Sequence, residues 1–230
     1  MGEVLTPALI AELRHLDSCA ISNAVETFDV RLRNEGFTDA RIRCVFPEMP
    51  PVVGYAVTAA IRCSTPPAVG HVYGDRTDWW NDILKTPGPR IVVVQDVDDN
   101  PGLGAFVGEV HAYILRALGC VAYVTNGAVR DLPAVRESGL QLFAAGTSPS
   151  HAFVHLVGFG EPVNVAGLSI APGDLLFGDG HGVLSIPPAV ASAVPSVAAD
   201  MRRRERKVIE YCRSGDFSLE QLRSMVNDWD

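Results

Sequence analysis

An arginine and an aspartate stand side by side where a predicted strand gives way to a predicted helix. Arg130 and Asp131 follow an apolar, β-branched run over 120–125, which is typical of a buried strand. A helix is expected to start at 132, with Asp131 at its N-cap position and Pro133 in its first turn, where a missing N–H costs nothing. Ligands of open α/β sheets bind beyond the carboxyl ends of strands. The pair is therefore a candidate site; the alternative is that Asp131 only caps and Arg130 only pairs with a surface carboxylate.

A glycine-rich loop follows the preceding predicted strand and is the second candidate feature. The apolar run 91–96 leads into a segment rich in turn formers, with glycines at 102, 104 and 108. A helix is expected to begin near Phe106, with a helix-spaced apolar stripe of Val107, Val110, Ile114 and Leu118. Free N–H groups at the start of a helix bind carboxylates or phosphates. The loop and the Arg130 turn are expected to share one crevice.

The residue types in that crevice suit a small 2-oxo acid. The guanidinium of Arg130 can hold a carboxylate with two parallel hydrogen bonds. Asp131 can hold a hard cation such as Mg²⁺, which keeps several waters and takes one or two carboxylates. The glycines lack the full dinucleotide fingerprint, so a nicotinamide cofactor is disfavoured.

Composition narrows the class of protein. The chain has 230 residues, 47% of them apolar, and a net charge of −8, which argues against nucleic acid or an anionic membrane as a partner. Five dispersed cysteines without a C-x-x-C pair indicate reduced core thiols. No N-terminal signal or stretch of transmembrane length is visible, so a cytoplasmic location is expected.

The order of predicted elements indicates one α/β domain over 1–230. It comprises a helical segment over 1–50, an α/β core over 52–187 and C-terminal helices over 188–230. Within the core, strand–helix–strand–helix–strand predicts a parallel sheet with right-handed crossovers, and short β runs after 146 predict an antiparallel meander. A long strand over 52–63 is expected to break at Gly54, and the helix over 189–213 to kink at Pro195.

Several motifs together resemble one family. They are Gly108-Glu109-Val110, the run Asn-Gly-Ala-Val-Arg-Asp ending at Asp131, Pro172-Gly-Asp174, and Gly178-Asp179 followed by Gly182-Val183. Over about 17–207 the chain resembles the RraA-like family, which contains class II 4-hydroxy-4-methyl-2-oxoglutarate/4-carboxy-4-hydroxy-2-oxoadipate aldolases and ribonuclease regulators.

The resemblance implies a fold, an assembly and a site. The fold would be a layered sandwich of the swivelling phosphohistidine-domain type, in a homotrimer or hexamer with sites between subunits. Mg²⁺ (or Mn²⁺) would be bound through Asp131, and the pyruvyl carboxylate by Arg130 and by backbone amides of Gly108, Glu109 and Val110. The metal would stabilise a pyruvate enolate, either in cleavage of a 4-hydroxy-2-oxo acid or in decarboxylation of oxaloacetate.

Glu205 is a further candidate catalytic residue. It falls on the apolar stripe of the last long helix, at i+4 from Met201, where a carboxylate is costly unless it has a partner. The resemblance implies that a glutamate of this helix enters the neighbouring subunit's site. The alternative is a glutamate that reaches solvent or pairs with an arginine such as Arg202.

One departure from the aldolase motif opens a second functional class. The aldolases have an acidic residue three positions after the aspartate, where this chain has Ala134. A non-catalytic trimeric regulator that binds a partner enzyme such as a ribonuclease is therefore the alternative, and another enolate reaction on a sugar-derived acid is a third. His71 is a candidate base, and segments 31–51 and 75–80 are expected to shape the substrate pocket.

Overall fold

The computed structural model describes residues 5–67 and 74–227, with the side chains of 74–76 excepted. The described chain forms an α/β fold. Its helices are α1 (Pro7–Arg14), α2 (Ser18–Glu26), α3 (Gly74–Lys85), α4 (Glu109–Ala117), α5 (Leu132–Ser138), α6 (Val194–Arg213) and α7 (Leu219–Val226). None of them combines the length and the apolar composition that a membrane-spanning helix needs.

The strands form one large mixed sheet and one small hairpin. They are β1 (Arg43–Cys44), β2 (Val52–Arg62), β3 (Arg90–Asp96), β4 (Ala105–Val107), β5 (Cys120–Val129), β6 (Gln141–Thr147), β7 (His155–Phe159), β8 (Val163–Val165), β9 (Leu168–Ile170), β10 (Leu175–Asp179) and β11 (Gly182–Ile186). The main sheet runs β1-β6-β5-β3-β2-β10-β11, with β4 paired to β5 and β7 paired to β2.

The predicted parallel sheet is confirmed at the centre of the main sheet. Strands β2, β3, β5 and β6 pair in parallel in that spatial order. Their continuous apolar sequences follow from burial on both faces, as in β3, where Ile91 to Val94 are all buried. The predicted antiparallel meander is only partly separate from the parallel sheet. Its strand β10 pairs antiparallel with β2 and so extends the central sheet.

The sheet separates apolar cores that fix the direction of its strands. One face packs under α3, α4 and α5 around Trp79, Phe106 and Tyr123. The other end of the sheet packs under α1, α2 and α6 around Leu13, Ile21 and Phe177. The carboxyl ends of β3, β4 and β5 therefore emerge on the side where α4 and α5 begin.

The long strand β2 is continuous at Gly54, so the predicted break is wrong. Gly54 instead admits the neighbouring chain, since a Cβ there would lie 2.8 Å from the carbonyl oxygen of Pro89. Tyr55 N–H donates to that same oxygen at 2.9 Å. The glycine is required by close approach of two backbones rather than by a bend.

The long C-terminal helix has no kink at Pro195, which corrects a second expectation. Helix α6 begins at Val194, so Pro195 lies in its first turn, where proline needs no intrahelical acceptor. Residues 188–193 before it form turns instead of helix.

Helix α4 begins later than predicted, and its predicted apolar stripe is confirmed only in part. Ala105 to Val107 pair with β5 as strand β4, so the first helical residue is Glu109. Val107 is buried and Leu118 packs against the core, but Val110 is 71% exposed, and the buried residues of the helix are Ala112 and Leu115.

Replacing Gly54 by alanine is expected to lower the free energy of unfolding by about 1–3 kcal/mol, because the new methyl group must push β2 away from the Pro89 backbone. Urea denaturation monitored by circular dichroism measures the change. Gly146→Ala is the matched control, since a Cβ at Gly146 in β6 meets nothing within 4 Å. Equal stability of the two variants would contradict the role assigned to Gly54.

Candidate functional site

The candidate site forms where β4 and β5 end beside each other. The two strands run parallel, with Ala105 opposite Ala128 and Val107 opposite Val129. The N–H of Arg130 continues the pairing by donating to the Val107 carbonyl at 3.1 Å. Strand β5 is longer than predicted and includes residues 126–129, so the turn is confined to Arg130 and Asp131.

Asp131 occupies the N-cap position of α5 but makes no side-chain cap there, which corrects the capping alternative. Its φ is 54°, a left-handed conformation in which aspartate is found more often than most residues. From that position its carboxylate Oδ2 accepts the N–H of Glu109 at 3.1 Å. Asp131 therefore caps the neighbouring helix α4, and the prediction that the loop and the turn share a crevice is confirmed.

Gly108 is the residue that permits this contact. A Cβ at Gly108 would overlap Oδ2 of Asp131 and lie 3.0 Å from Cγ of Arg130. As the N-cap of α4 it supplies no capping side chain. The negative charge of Asp131 consequently stands at the positive end of the α4 dipole, where it is favoured.

Arg130 lies next to this carboxylate, and the contact leaves the hydrogen-bond donors of its guanidinium available. Its Nε is 3.5 Å from Oδ2 of Asp131, and its side chain is 35% exposed. The guanidinium makes no hydrogen bond to another residue of the described chain, so its fork remains open to an anionic ligand. The Asp131 side chain is 45% exposed, and its Oδ1 accepts no hydrogen bond from the described residues.

The predicted substrate amides are only partly available. The N–H of Glu109 is taken by Asp131. Val110 follows it in the first turn of α4, where N–H groups have no intrahelical acceptor. Binding of a substrate by the amides of Gly108, Glu109 and Val110 stays a prediction.

A cavity of about 470 Å³ opens beside Arg130. Its wall is formed by Pro67, Trp80, Ala105, Phe106, Val110, His111, Ile114, Arg130, His151, Ala152, Phe153 and Val154. The expectation that 75–80 shapes the pocket holds for Trp80, while Trp79 is fully buried behind Phe106, with ring centroids 5.6 Å apart. His71 lies outside the described residues.

Glu205 is not brought to this cavity within the chain. It lies partly buried on α6, which packs against α1, α2 and α7. Its predicted entry into a neighbouring subunit's site stays a prediction.

A buried carboxylate that sequence reasoning did not single out holds the two loops in place. Asp96 ends β3 and is 1% exposed. Its Oδ2 accepts the N–H of Gly102 at 2.8 Å, and its Oδ1 accepts that of Asp98 at 3.1 Å. Asn126 pairs with the Asp96 backbone through both side-chain ends, at 2.7 and 2.9 Å. The sequence did carry a signal for this arrangement. Asp, Asn and Gly are frequent directly after β3, and these residues favour turns held by side chain–backbone hydrogen bonds.

Cys63, Asp96 and Asp98 form a second group of potential metal ligands, with ligand atoms within 4.8 Å of one another. Their chemistry fits a hydrogen-bonded anchor better than a metal centre. Asp98 Oδ2 already accepts the N–H groups of Cys63 and Ser64 at 2.7 and 2.8 Å. Burial raises the pKa of the Cys63 thiol to about 12, so a metal bound here would have to displace the thiol proton.

Known proteins resemble this chain in sequence over much of its length. The family model described as "RraA-like: Aldolase/RraA" matches residues 18–185. A protein of Halalkalibacterium halodurans named "Putative 4-hydroxy-4-methyl-2-oxoglutarate aldolase" is 31% identical over 128 residues, which is 54% of this chain. The match spans 60% of that relative's length.

Two solved structures share the fold at low identity. An uncharacterised protein from Pseudomonas syringae pv. tomato superposes with a TM-score of 0.73 at 24% identity, over 97% of this chain and 96% of its own. RraAS2 of Streptomyces coelicolor, described as an unusual member of the RNase ES inhibitor RraA family, gives 0.69 at 21%, over 89% and 96%. With the family model covering most of the sequence, this chain belongs to the RraA-like family.

Proposed function

We propose that this chain is a divalent-metal-dependent lyase that breaks a carbon–carbon bond of a small 2-oxo acid. The reaction would be 4-hydroxy-2-oxo acid cleavage, oxaloacetate decarboxylation or both. The observation that carries the proposal is the convergence of an open guanidinium and a half-exposed carboxylate at the α4 N-terminus, beside a cavity. The name of the Halalkalibacterium relative supports it.

Arg130 binds the substrate carboxylate in this proposal. Its guanidinium faces a cavity wall and has donors to spare, so two parallel N–H···O bonds can fix the acid in one orientation. An oriented acid places its 2-oxo group toward Asp131, which is the adjacent residue.

Asp131 would hold the metal, since Mg²⁺ is commonly bound through one or two carboxylates. Its fit rests on one carboxylate oxygen that no residue of the described chain occupies. The bound cation supplies Lewis-acid polarisation of the oxo group. The start of helix α4 orients the carboxylate, because the Glu109 N–H donates to its other oxygen.

The assembly and the remaining catalytic groups belong to the same proposal. A homotrimer or hexamer would close the cavity with a neighbouring subunit, and Glu205 would reach the site from that neighbour. The swivelling phosphohistidine-type layering implied by the sequence stays a prediction.

A second candidate function is that of a non-catalytic regulator. Ala134 stands in the first turns of α5, where the aldolase motif has an acidic residue, and the Streptomyces neighbour is described as a member of an RNase inhibitor family. Recovery of a stoichiometric protein partner, together with no pyruvate release from a panel of oxo acids, would favour this function.

Asp131→Asn is expected to lower the turnover of pyruvate-forming cleavage at least about 100-fold. The amide oxygen can still accept the Glu109 N–H, so the fold is kept, but the charge that holds the cation is lost. A coupled lactate dehydrogenase assay measures pyruvate; EDTA should abolish release by the wild type and Mg²⁺ restore it. Asp200→Asn is the control, since Asp200 pairs with Arg203 on the exposed face of α6. Wild-type rates in Asp131→Asn would refute the metal assignment.

Arg130→Ala is expected to reduce kcat/KM at least about 100-fold, because the substrate loses a charge-assisted bidentate partner. Arg130→Lys should recover only part of this, since an ammonium lacks the planar fork. Arg136→Ala is the matched control: Arg136 Nε lies 2.8 Å from Glu48 Oε1 on the surface. A loss in Arg136→Ala as large as in Arg130→Ala would count against the proposed role.

Gly108→Ala is expected to weaken Mg²⁺ binding about tenfold or more by displacing the Asp131 carboxylate. The concentration of Mg²⁺ needed to raise the thermal unfolding midpoint gives the affinity. Gly180→Ala serves as control, because a Cβ at Gly180 meets nothing within 4 Å. An unchanged Mg²⁺ dependence in Gly108→Ala would show that the crevice does not bind the metal.

A further inference from the structure

The lining of the cavity beside Arg130 is charged at one end and mainly apolar over the rest. Its polar end holds Arg130, which is the one residue of the described lining that carries a full positive charge. The rest of the wall is mainly aliphatic and aromatic, from Phe106 and Ile114 on one side to Phe153 and Val154 on the other. A ligand held here by one carboxylate would place the remainder of its structure against apolar side chains.

The part of the apolar wall around Phe106 is built on packed side chains. Phe106 is 2% exposed and lies between the buried Trp79, at 5.6 Å between ring centroids, and His111, at 5.1 Å with the rings nearly parallel. Side chains packed in this way keep their positions, so the cavity does not depend on a ligand to form. Its volume falls within the range of about 300–1,000 Å³ usual for small-molecule sites.

Trp80 adds one unsatisfied polar group to this wall. Its indole nitrogen is buried and has no hydrogen-bond partner among the described residues. Buried N–H groups nearly always have a partner. An oxygen of a bound molecule in the cavity that Trp80 lines can supply it.

We infer that the substrate is a 4-hydroxy-2-oxo acid with a single carboxylate and an apolar, aryl or branched-alkyl, substituent on C4. This inference rests on the proposed lyase function and specifies its substrate class. A second carboxylate on C4, as in 4-hydroxy-4-methyl-2-oxoglutarate, would lose its hydration against Phe106, Ile114 and Phe153, and the described lining offers it no second arginine or lysine. The substrate therefore differs from the one in the name of the Halalkalibacterium relative.

The reaction on such a substrate is a retro-aldol cleavage. The C3–C4 bond breaks and its electron pair stays on C3, while the C4 hydroxyl loses its proton and C4 becomes a carbonyl carbon. C3 then takes up a proton, giving pyruvate. The second product is an apolar aldehyde or ketone, such as benzaldehyde from 4-hydroxy-2-oxo-4-phenylbutanoate.

Two measurements test the inference separately from the lyase proposal. In the first, kcat/KM for pyruvate release is compared between 4-hydroxy-2-oxo-4-phenylbutanoate and 4-hydroxy-4-methyl-2-oxoglutarate in the presence of Mg²⁺. The phenyl acid is expected to be favoured at least about tenfold. Preference for the dicarboxylate would overturn the inference and leave the lyase function standing.

The second measurement does not need catalysis. Calorimetry compares the binding of 2-oxo-4-phenylbutanoate with that of 2-oxoglutarate. Neither acid has the C4 hydroxyl that retro-aldol cleavage requires. The phenyl acid is expected to bind at least about tenfold more tightly. If it does so while no acid releases pyruvate, the lyase proposal fails and the ligand class stands; equal or weaker binding overturns the ligand class whatever the catalytic result.

A charge placed in the cavity should weaken the discrimination. Phe153→Arg adds a cation at a wall residue that is 55% exposed, so folding is little affected. The preference for the phenyl ligand over 2-oxoglutarate is expected to fall about tenfold. Val157→Arg is the matched control, because Val157 is 48% exposed on β7 and does not line the cavity. An equal shift in both variants would show that net charge, not the cavity, sets the preference.

Discussion

The hydrogen bond from the Glu109 N–H to the Asp131 carboxylate joins the two loops of the candidate site. It makes the start of α4 depend on a side chain that belongs to the next crossover. Two backbone features allow it: the left-handed conformation of Asp131 and the missing side chain of Gly108. The oxygen that accepts this bond also lies 3.5 Å from Nε of Arg130. In the proposed function, the binding of an acid and of a cation would both depend on this contact.

Support for that contact comes from buried polar groups one strand away. Burial raises the pKa of the Asp96 carboxyl, while the N–H groups of Gly102 and Asp98 oppose the rise by binding the ionised form. Asn126 ties the end of β3 to β5 with two further hydrogen bonds. Unmade hydrogen bonds are costly at such depth, so these groups hold the glycine-rich loop in one position. The loop in turn carries β4 and the start of α4.

Membership of the RraA-like family does not decide whether this chain is a catalyst or a regulator, because one fold supports unrelated functions. That distinction depends on the residues of the site. Our proposal of a catalyst rests on an open guanidinium, an accessible carboxylate and an apolar cavity, which would have separate uses in one reaction. A surface that only binds a protein partner needs none of them to converge. Ala134 is the residue of the described site that runs against this preference.

The sequence by itself determined the parallel core, the helix after Asp131 and the Arg130–Asp131 pair, because these follow from continuous apolar runs and from local turn and capping preferences. It could not determine the start of α4, since pairing of 105–107 with β5 outweighed the helical pattern of the same residues. Nor could it show that Gly54 admits the Pro89 backbone, or that Asp131 caps a helix other than its own. Each of these depends on atoms far apart in the chain that only the packed sheet brings into contact, and the apolar cavity at Arg130 arises in the same way.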